Sequence, residues 1–193
     1  MTGPTHGGCA LLVMHVQPPI SDMVADDSWI SRIADALAAA RGASIPVIHV
    51  HIGFREGYPE MARTDARRQQ LEGANLFLRE LTNASHPKAA PLSGEPVVIT
   101  SRVGAFTGTD LEQLLSARGI SHLVLTGVST GGVVLGTLIA ALERDLNVTV
   151  LADACADANP NTHRVLLAHF AEGAPWSATV ITSSAWINQL NAT

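Results

Sequence analysis

The residues able to do chemistry in this chain are a few histidines, one arginine and a glycine-rich turn. The run Ala10-Leu11-Leu12-Val13-Met14 is continuously apolar and ends on His15, just ahead of Val16-Gln17-Pro18-Pro19. An imidazole has an unperturbed pKa near ~6.5, so it serves as base or acid at neutral pH without the tuning a carboxylate needs. The functional reading of His15 is a general base that activates water or takes a substrate proton. The structural alternative is a hydrogen bond to a neighbouring loop. His49 and His51 alternate along one apolar run and, on a strand, share a face. Arg102 offers a planar guanidinium suited to bidentate carboxylate binding. Gly127-Val128-Ser129-Thr130-Gly131-Gly132 opens a helix whose first turn presents free N–H donors and a positive dipole end. Gly131 and Gly132 leave that end unobstructed, although tight packing of helix on sheet explains the same glycines.

Thiol chemistry has a weaker case. The two cysteines, Cys9 and Cys155, open one strand and follow another, so both read as packing residues, and no four-ligand zinc pattern is present. The chain of 193 residues carries a net charge of −5, and its 12 basic residues are scattered, which argues against nucleic acid or an anionic membrane as partner. Apolar residues make up 47% and charged residues 15%, the composition of a globular domain with a real core. The N-terminal MTGPTHGG lacks a basic flank and a cleavage site, and no apolar run approaches the ~20 residues of a membrane span. These features predict a soluble protein of a reducing, cytoplasmic compartment, built as one domain over residues 1–193.

The elements that must position those residues alternate regularly. Strands are expected over Cys9–Val16, Pro46–Ile52, Pro96–Ser101, His122–Thr126, Asn147–Ala152 and Ala178–Thr182. Helices are expected over Ser28–Arg41, with Ser28 as N-cap and Gly42 as stop, then Thr109–Arg118, Thr130–Asp145, Asn161–Phe170 and Ser184–Leu190. Only Gly53–Pro96 breaks the rhythm, with a loop, a helix around Asp65–Leu81 and a Pro/Ser/Gly/His-rich stretch from Asn83 to Pro96; loops this long usually cover sites or build interfaces. Continuous apolar strands between helices predict an α/β fold with a mainly parallel six-stranded sheet covered on both faces. Ligands bind such sheets at the carboxyl ends of the strands. That rule gathers His15, Ile52-Gly53, Ser101-Arg102, Gly127–Thr130 and Asp153.

The pattern resembles the isochorismatase-like superfamily of cysteine hydrolases, which includes nicotinamidases and related amidases. The resemblance covers nearly the whole chain and is carried by ALLVMHVQ (10–17), VIHVHIGFREGYPE (47–60), SRVGAFTGTDLEQLL (101–115), HLVLTGVSTGGVVLGT (122–137) and VTVLADACAD (148–157). It implies a Rossmann-like three-layer sandwich, often assembled as a homodimer or homotetramer, acting on a small organic molecule without a cofactor. It also implies a catalytic Asp at the end of the first strand, a Lys before the A-F motif and a Cys opening the helix after G-V-x-T. Carried over, the Asp position holds His15, the Lys position Thr100 and the Cys position Val133. The single lysine, Lys88, and the two cysteines lie too far from these positions to rebuild the set. Catalysis through a thiolate, as the family performs it, is therefore not expected.

The resemblance assigns further roles. Some relatives cleave a vinyl ether by protonation and water without a cysteine, so loss of Cys alone does not imply inactivity. The Val128–Ser129 peptide is expected to be cis and to aim N–H donors at a developing oxyanion. Phe106 is placed beside the pocket, with Tyr58 and Trp29 as further apolar wall, although each also suits a core. His51 is expected to line the pocket, His49 to be buried and hydrogen-bonded, and Arg102 to contact substrate or anchor its loop. A metal held by His15 and His51, with Glu56 or Asp22 as third ligand, is a minor alternative, because catalytic zinc needs three protein ligands. Two functional readings stay open. One is a non-covalent acid/base enzyme, catalysing hydrolysis, elimination or isomerisation through His15. The other is a catalytically inactive binding or assembly protein.

Overall fold

The computed structural model describes residues 8–79, 84–171 and 178–192. Six strands form one all-parallel sheet in the order β3-β2-β1-β4-β5-β6: β1 (Cys9–Met14), β2 (Val47–Ile52), β3 (Val97–Thr100), β4 (His122–Val128), β5 (Asn147–Ala156) and β6 (Thr179–Ile181). Seven α-helices are described: α1 (Pro18–Ser21), α2 (Ser28–Gly42), α3 (Ala66–Gly73), α4 (Leu111–Ser116), α5 (Leu135–Leu142), α6 (Pro160–Ala171) and α7 (Ser183–Asn191). No described helix is long and apolar enough to cross a membrane.

The two helical layers follow from the period-2 alternation of strand side chains. Ala10, Leu12 and Met14 of β1 face the same way as Ile48, Val50, Leu123 and Leu125, and pack beneath Leu111, Leu115, Leu138 and Phe170 of α4, α5 and α6. Leu11 and Val13 face the other way, with Val47 and Val124, onto Ile30, Ile33 and Leu37 of α2 and Trp186 of α7. Both faces of the central strands are buried, hence their unbroken apolar runs. A fully buried Leu or Ile stabilises by roughly 1.5–3 kcal/mol, and α2 turns Ile30, Ile33 and Leu37 inward at helical spacing.

Several element ends differ from expectation, each for a local reason. β1 stops at Met14 because His15 takes a positive φ of 54° and leaves the ladder. β5 continues to Ala156, past the expected Ala152, across a register irregularity opposite Leu125 and Gly127 of β4. The helix expected over Asp65–Leu81 is shorter. Asp65 caps it by accepting from the Arg67 N–H, and it ends at Gly73 ahead of Asn75 and Phe77, both at positive φ; residues 80 and 81 lie outside the described residues, as do Asn83 and residues 1–7 of the N-terminal stretch. The long helix after β4 opens with a wide π turn over Thr130–Val134 before α5.

Gly127 sits at φ +131°, and a Cβ on it would collide with the Met14 carbonyl of the adjacent strand. Gly42, at the end of α2, has open space around its Cα. Gly127→Ala should therefore destabilise by about 3 kcal/mol or more, as backbone strain adds to the clash. Gly42→Ala should be neutral or stabilise by up to about 1 kcal/mol. Urea unfolding of both variants checks the pair, and a Gly127→Ala midpoint equal to wild type would contradict the contact.

Candidate active site

The sheet order reverses direction of travel between β1 and β4, and the carboxyl ends of β2, β1 and β4 meet there. Met14 is in register with Val50 of β2 and Gly127 of β4, so His15 leaves the sheet between His51 and Val128. Its N–H still donates to the Val50 carbonyl at 2.8 Å. The imidazole is 5% exposed, and its Nε2 is buried with no hydrogen-bond partner among the described residues. Burial, reinforced by nearby His51, pushes the His15 pKa down to about 3. His15 is therefore a neutral imidazole at physiological pH, a proton acceptor rather than an acid.

Its neighbours are fixed by polar contacts. Gln17, fully buried, accepts from the Ile52 N–H at 2.8 Å and donates to the Ile52 carbonyl at 3.1 Å, so a side-chain amide continues the ladder that β1 has left. His51 Nε2 meets Ser85 Oγ at 2.8 Å, and the His86 N–H donates to the Val16 carbonyl at 2.8 Å, which ties the 84–86 segment over the ends of β1 and β2. His49 lies deeper on the same face, with Nε2 3.0 Å from Glu95 Oε2. Burial would raise the Glu95 carboxyl, but two bonds from Arg41, the Leu92 N–H and His49 hold it down at about 2. Burial lowers the His49 pKa.

The other two substituted positions are structural here. Thr100 is fully buried, and its hydroxyl accepts from the Arg102 N–H at 3.0 Å and lies 3.0 Å from the Gly104 carbonyl, closing its own turn. Val133 is 2% exposed and packs into the core with Leu125, Val134 and Leu138. The Val128–Ser129 peptide is cis. A Cβ on Gly132 would sit 2.5 Å from Ser129 Oγ, so that glycine admits the Ser129 side chain. The helix end is already partnered from within: the Gly131 N–H donates to Asp157 Oδ2 at 2.9 Å, and Thr130 Oγ1 lies 2.8 Å from His163 Nδ1 and 3.1 Å from the Ala156 carbonyl.

The expected wall residues each have partners of their own. Phe106 lies under the Arg144 guanidinium, 4.6 Å from ring centroid to Cζ, and packs in one buried cluster with Met14, Val133 and Leu138. Tyr58 is buried, with its hydroxyl 2.9 Å from the Leu71 carbonyl and 2.8 Å from that of Leu76; it staples the long loop. Trp29 packs in the α2 layer with Val16 and Val128. Asp153 does not join the site: its carboxylate accepts from the Ser183 N–H at 2.6 Å and hydroxyl at 2.9 Å, capping α7, because β5 runs on past it. Glu56 and Asp22 are exposed, and no three His, Cys, Asp or Glu side chains cluster at metal-ligand spacing among the described residues. Cys155 is buried in the core, its thiol pushed up to about 12 by burial, and Cys9 at the far end of β1 is raised to about 11 for the same reason.

At the carboxyl ends of β2 and β3 lies an open cavity of about 530 Å³, bounded by Ile52, Phe54, Met61 and Asp65 on one side and by Ser101, Arg102 and Val103 on the other; His15 is not part of its lining. Its lining begins one residue beyond His51 on β2 and Thr100 on β3. The acidic and basic residues of the 60–67 segment went unrecognised in the sequence, because nothing in their spacing brings them to the end of β3. Gln17 did carry a signal: a polar residue in an otherwise apolar stretch right after a buried strand.

Comparison with known proteins places this arrangement among relatives. A family model described as the isochorismatase domain matches residues 9–185. Ureidoacrylate amidohydrolase RutB of Methylobacterium radiotolerans is 32% identical over 165 residues, which cover 78% of this chain and 64% of that protein. The isochorismatase family protein YecD of Escherichia coli O157:H7 is 32% identical over 145 residues, covering 74% of each. The chain spans a little under two thirds of the length of the ureidoacrylate amidohydrolases it matches, 64% and 61% for the first two. Among solved structures, an isochorismatase family protein of Burkholderia thailandensis superposes with a TM-score of 0.80 at 25% identity, covering 99% of this chain and 98% of its own. A cysteine hydrolase of Pseudomonas syringae pv. phaseolicola gives 0.86 at 19% identity, covering 96% and 93%, a likeness of fold.

The His15 environment predicts a pH signature. With its folded pKa at about 3 against an unfolded value near 6.5, the unfolded state binds more protons between those limits. The His15 contribution is complete above about pH 6.5 and is lost as pH falls towards 3, at no more than about 1.4 kcal/mol per pH unit. His15→Asn should flatten the decline in stability between pH 7 and 4 relative to wild type. Urea midpoints that fall in parallel for the two proteins would show that His15 is not a buried neutral imidazole.

Proposed function

Because the chain belongs to the isochorismatase family, whose members are hydrolases, we propose that it is a divergent small-molecule hydrolase that works without a covalent thioester. The carrying observation is the His15 Nε2: a buried nitrogen without a hydrogen-bond partner among the described residues, on a residue held at positive φ, at the crossover point of the sheet. An unsatisfied buried polar atom costs about 1–3 kcal/mol, and a left-handed non-glycine residue adds to that cost. Both are explained if a bound molecule supplies the missing partner.

In this reading a neutral His15 accepts a proton from water as the water adds to a carbonyl-type carbon, then returns it to the leaving group. The empty-site pKa is low for such a base. A negative charge on the substrate, or developing on its oxygen, raises it towards the working range. Backbone N–H groups near the Val128–Ser129 turn are the candidates for stabilising that oxygen. The cavity of about 530 Å³ suits a small organic molecule. Ureidoacrylate, named for the relatives, is a reasonable first probe alongside simple amides and enol ethers.

A specific observation favours a second reading, a binding protein without turnover. His15, Thr100 and Val133 are all closed off from solvent, and the Thr100 hydroxyl is engaged by its own turn. One experiment separates the two. Wild type and His15→Asn are incubated with the ureido acid, amide and enol ether panel, and products are followed by mass spectrometry. The hydrolase reading expects turnover that drops at least about 100-fold in His15→Asn, the usual loss for a general base. Turnover indifferent to the substitution, or none across the panel, would sink it, the latter in favour of the binding protein.

A further inference from the structure

Three hydroxyls pair with an imidazole among the described residues, and they differ in what the hydroxyl can do. Thr149 Oγ1 lies 2.8 Å from His122 Nε2 near the amino ends of β4 and β5, away from the ligand edge of the sheet. Thr130 Oγ1 lies 2.8 Å from His163 Nδ1, but it is fully buried and also faces the Ala156 carbonyl at 3.1 Å. A carbonyl only accepts, so Thr130 gives its single proton there and receives one from His163. Ser85 is the third. Its Oγ lies 2.8 Å from His51 Nε2 at the carboxyl end of β2, and no other bond engages that hydroxyl among the described residues.

The surroundings suit a proton transfer within this pair. Ser85 is half-buried, so part of it meets solvent, whereas His51 is 3% exposed and shielded from water. Backbone contacts place the segment independently of the pair. The neighbouring His86 N–H donates to the Val16 carbonyl at 2.8 Å, and His86 Nδ1 accepts the Lys88 N–H at 3.3 Å. Ser85 therefore stands next to the end of β1 that carries His15. A serine hydroxyl is a weak nucleophile until a base within hydrogen-bond reach takes its proton, and 2.8 Å is within that reach.

We infer that Ser85 is a nucleophile with His51 as its base, and that the pair takes acyl groups from small carboxylic esters. The inference rests on the hydrolase reading above and gives it an acyl acceptor and a substrate class. With the ring proton on Nδ1, His51 Nε2 takes the Ser85 proton as Oγ bonds to the acyl carbon. The ester C–O bond then breaks, and the departing alcohol leaves with that proton. Water next adds to the acyl–Ser85 carbon with His15 as base, and the proton returns to Ser85 Oγ as the acid departs. Water is the only co-reactant.

A fluorophosphonate and p-nitrophenyl acetate test this on the full chain, read by intact mass and peptide mapping. Wild type should carry one phosphonyl group, on Ser85, and His51→Gln should label at least about 100-fold more slowly. With the ester, acetyl–Ser85 should form and release acetate, and Ser85→Ala should slow that release at least about 100-fold. The adduct on wild type decides the matter even where a variant folds poorly. No phosphonyl adduct, an adduct only on another residue, or labelling indifferent to His51→Gln would overturn the assignment and leave the bond as a tether of the 84–86 segment. His15→Asn separates the two readings. Acetyl–Ser85 that accumulates in that variant upholds both. Acetyl–Ser85 that turns over as in wild type upholds the nucleophile and removes His15 as base. Hydrolysis that needs His15 but leaves Ser85 unacylated and unlabelled does the reverse.

Discussion

The approach of Gly127 to the Met14 carbonyl governs the arrangement around it. Two central strands come closer there than any side chain permits, and only a residue without a Cβ can stand at φ +131° in that gap. The consequences run outward. β4 bends away from regular register with β5 between Leu125 and Gly127, and turns through the cis Val128–Ser129 peptide into the π turn at Thr130. β5 extends to Ala156 alongside, which brings the Ala156 carbonyl to Thr130 and the Asp157 carboxylate to the Gly131 N–H. One close contact between backbones thus sets the geometry of the turn on which an oxyanion would rest.

On the other side of β1 the controlling groups are polar. His15 leaves the ladder at positive φ, and the Gln17 amide takes over both backbone groups of Ile52. A buried peptide group without a partner is costly, so the side chain substitutes for strand. The His49–Glu95–Arg41 network does comparable work deeper in the layer, joining β2 to the end of α2 and to the turn before β3. His51 secures the 84–86 segment through Ser85. His49 and His51 are each held through Nε2, by Glu95 and Ser85, whereas the buried Nε2 of His15 has no hydrogen bond among the described residues.

At two of the positions to which the resemblance gives catalytic roles, the side chains here serve the fold. Val133 fills core, and Thr100 gives its hydroxyl to a turn. Arg102, two residues after Thr100, lines the cavity at the ends of β2 and β3 together with Glu60, Asp65 and Arg67. A neutral imidazole suits proton transfer by way of water better than it suits attack by a thiolate, whose two possible sources here are both raised by burial.

The sequence by itself determined a mainly parallel six-stranded sheet and its helical layers, because continuous apolar runs and period-3.6 apolar patterns are local and directly encode which faces are buried. It determined that an Asp–Lys–Cys set is missing, since residue identities need no geometry. It also drew His15, Ser101-Arg102 and the Gly127–Thr130 turn towards one edge, through the rule that ligands sit at the carboxyl ends of parallel strands. Tertiary structure alone decided which of those side chains face each other. Phe106 goes under Arg144, Tyr58 staples its loop, and Asp153 caps α7, because each is claimed by a partner distant in sequence. The protonation of His15 belongs to the same class. It follows from burial and from the proximity of His51, and neither is written in the spacing of residues along the chain.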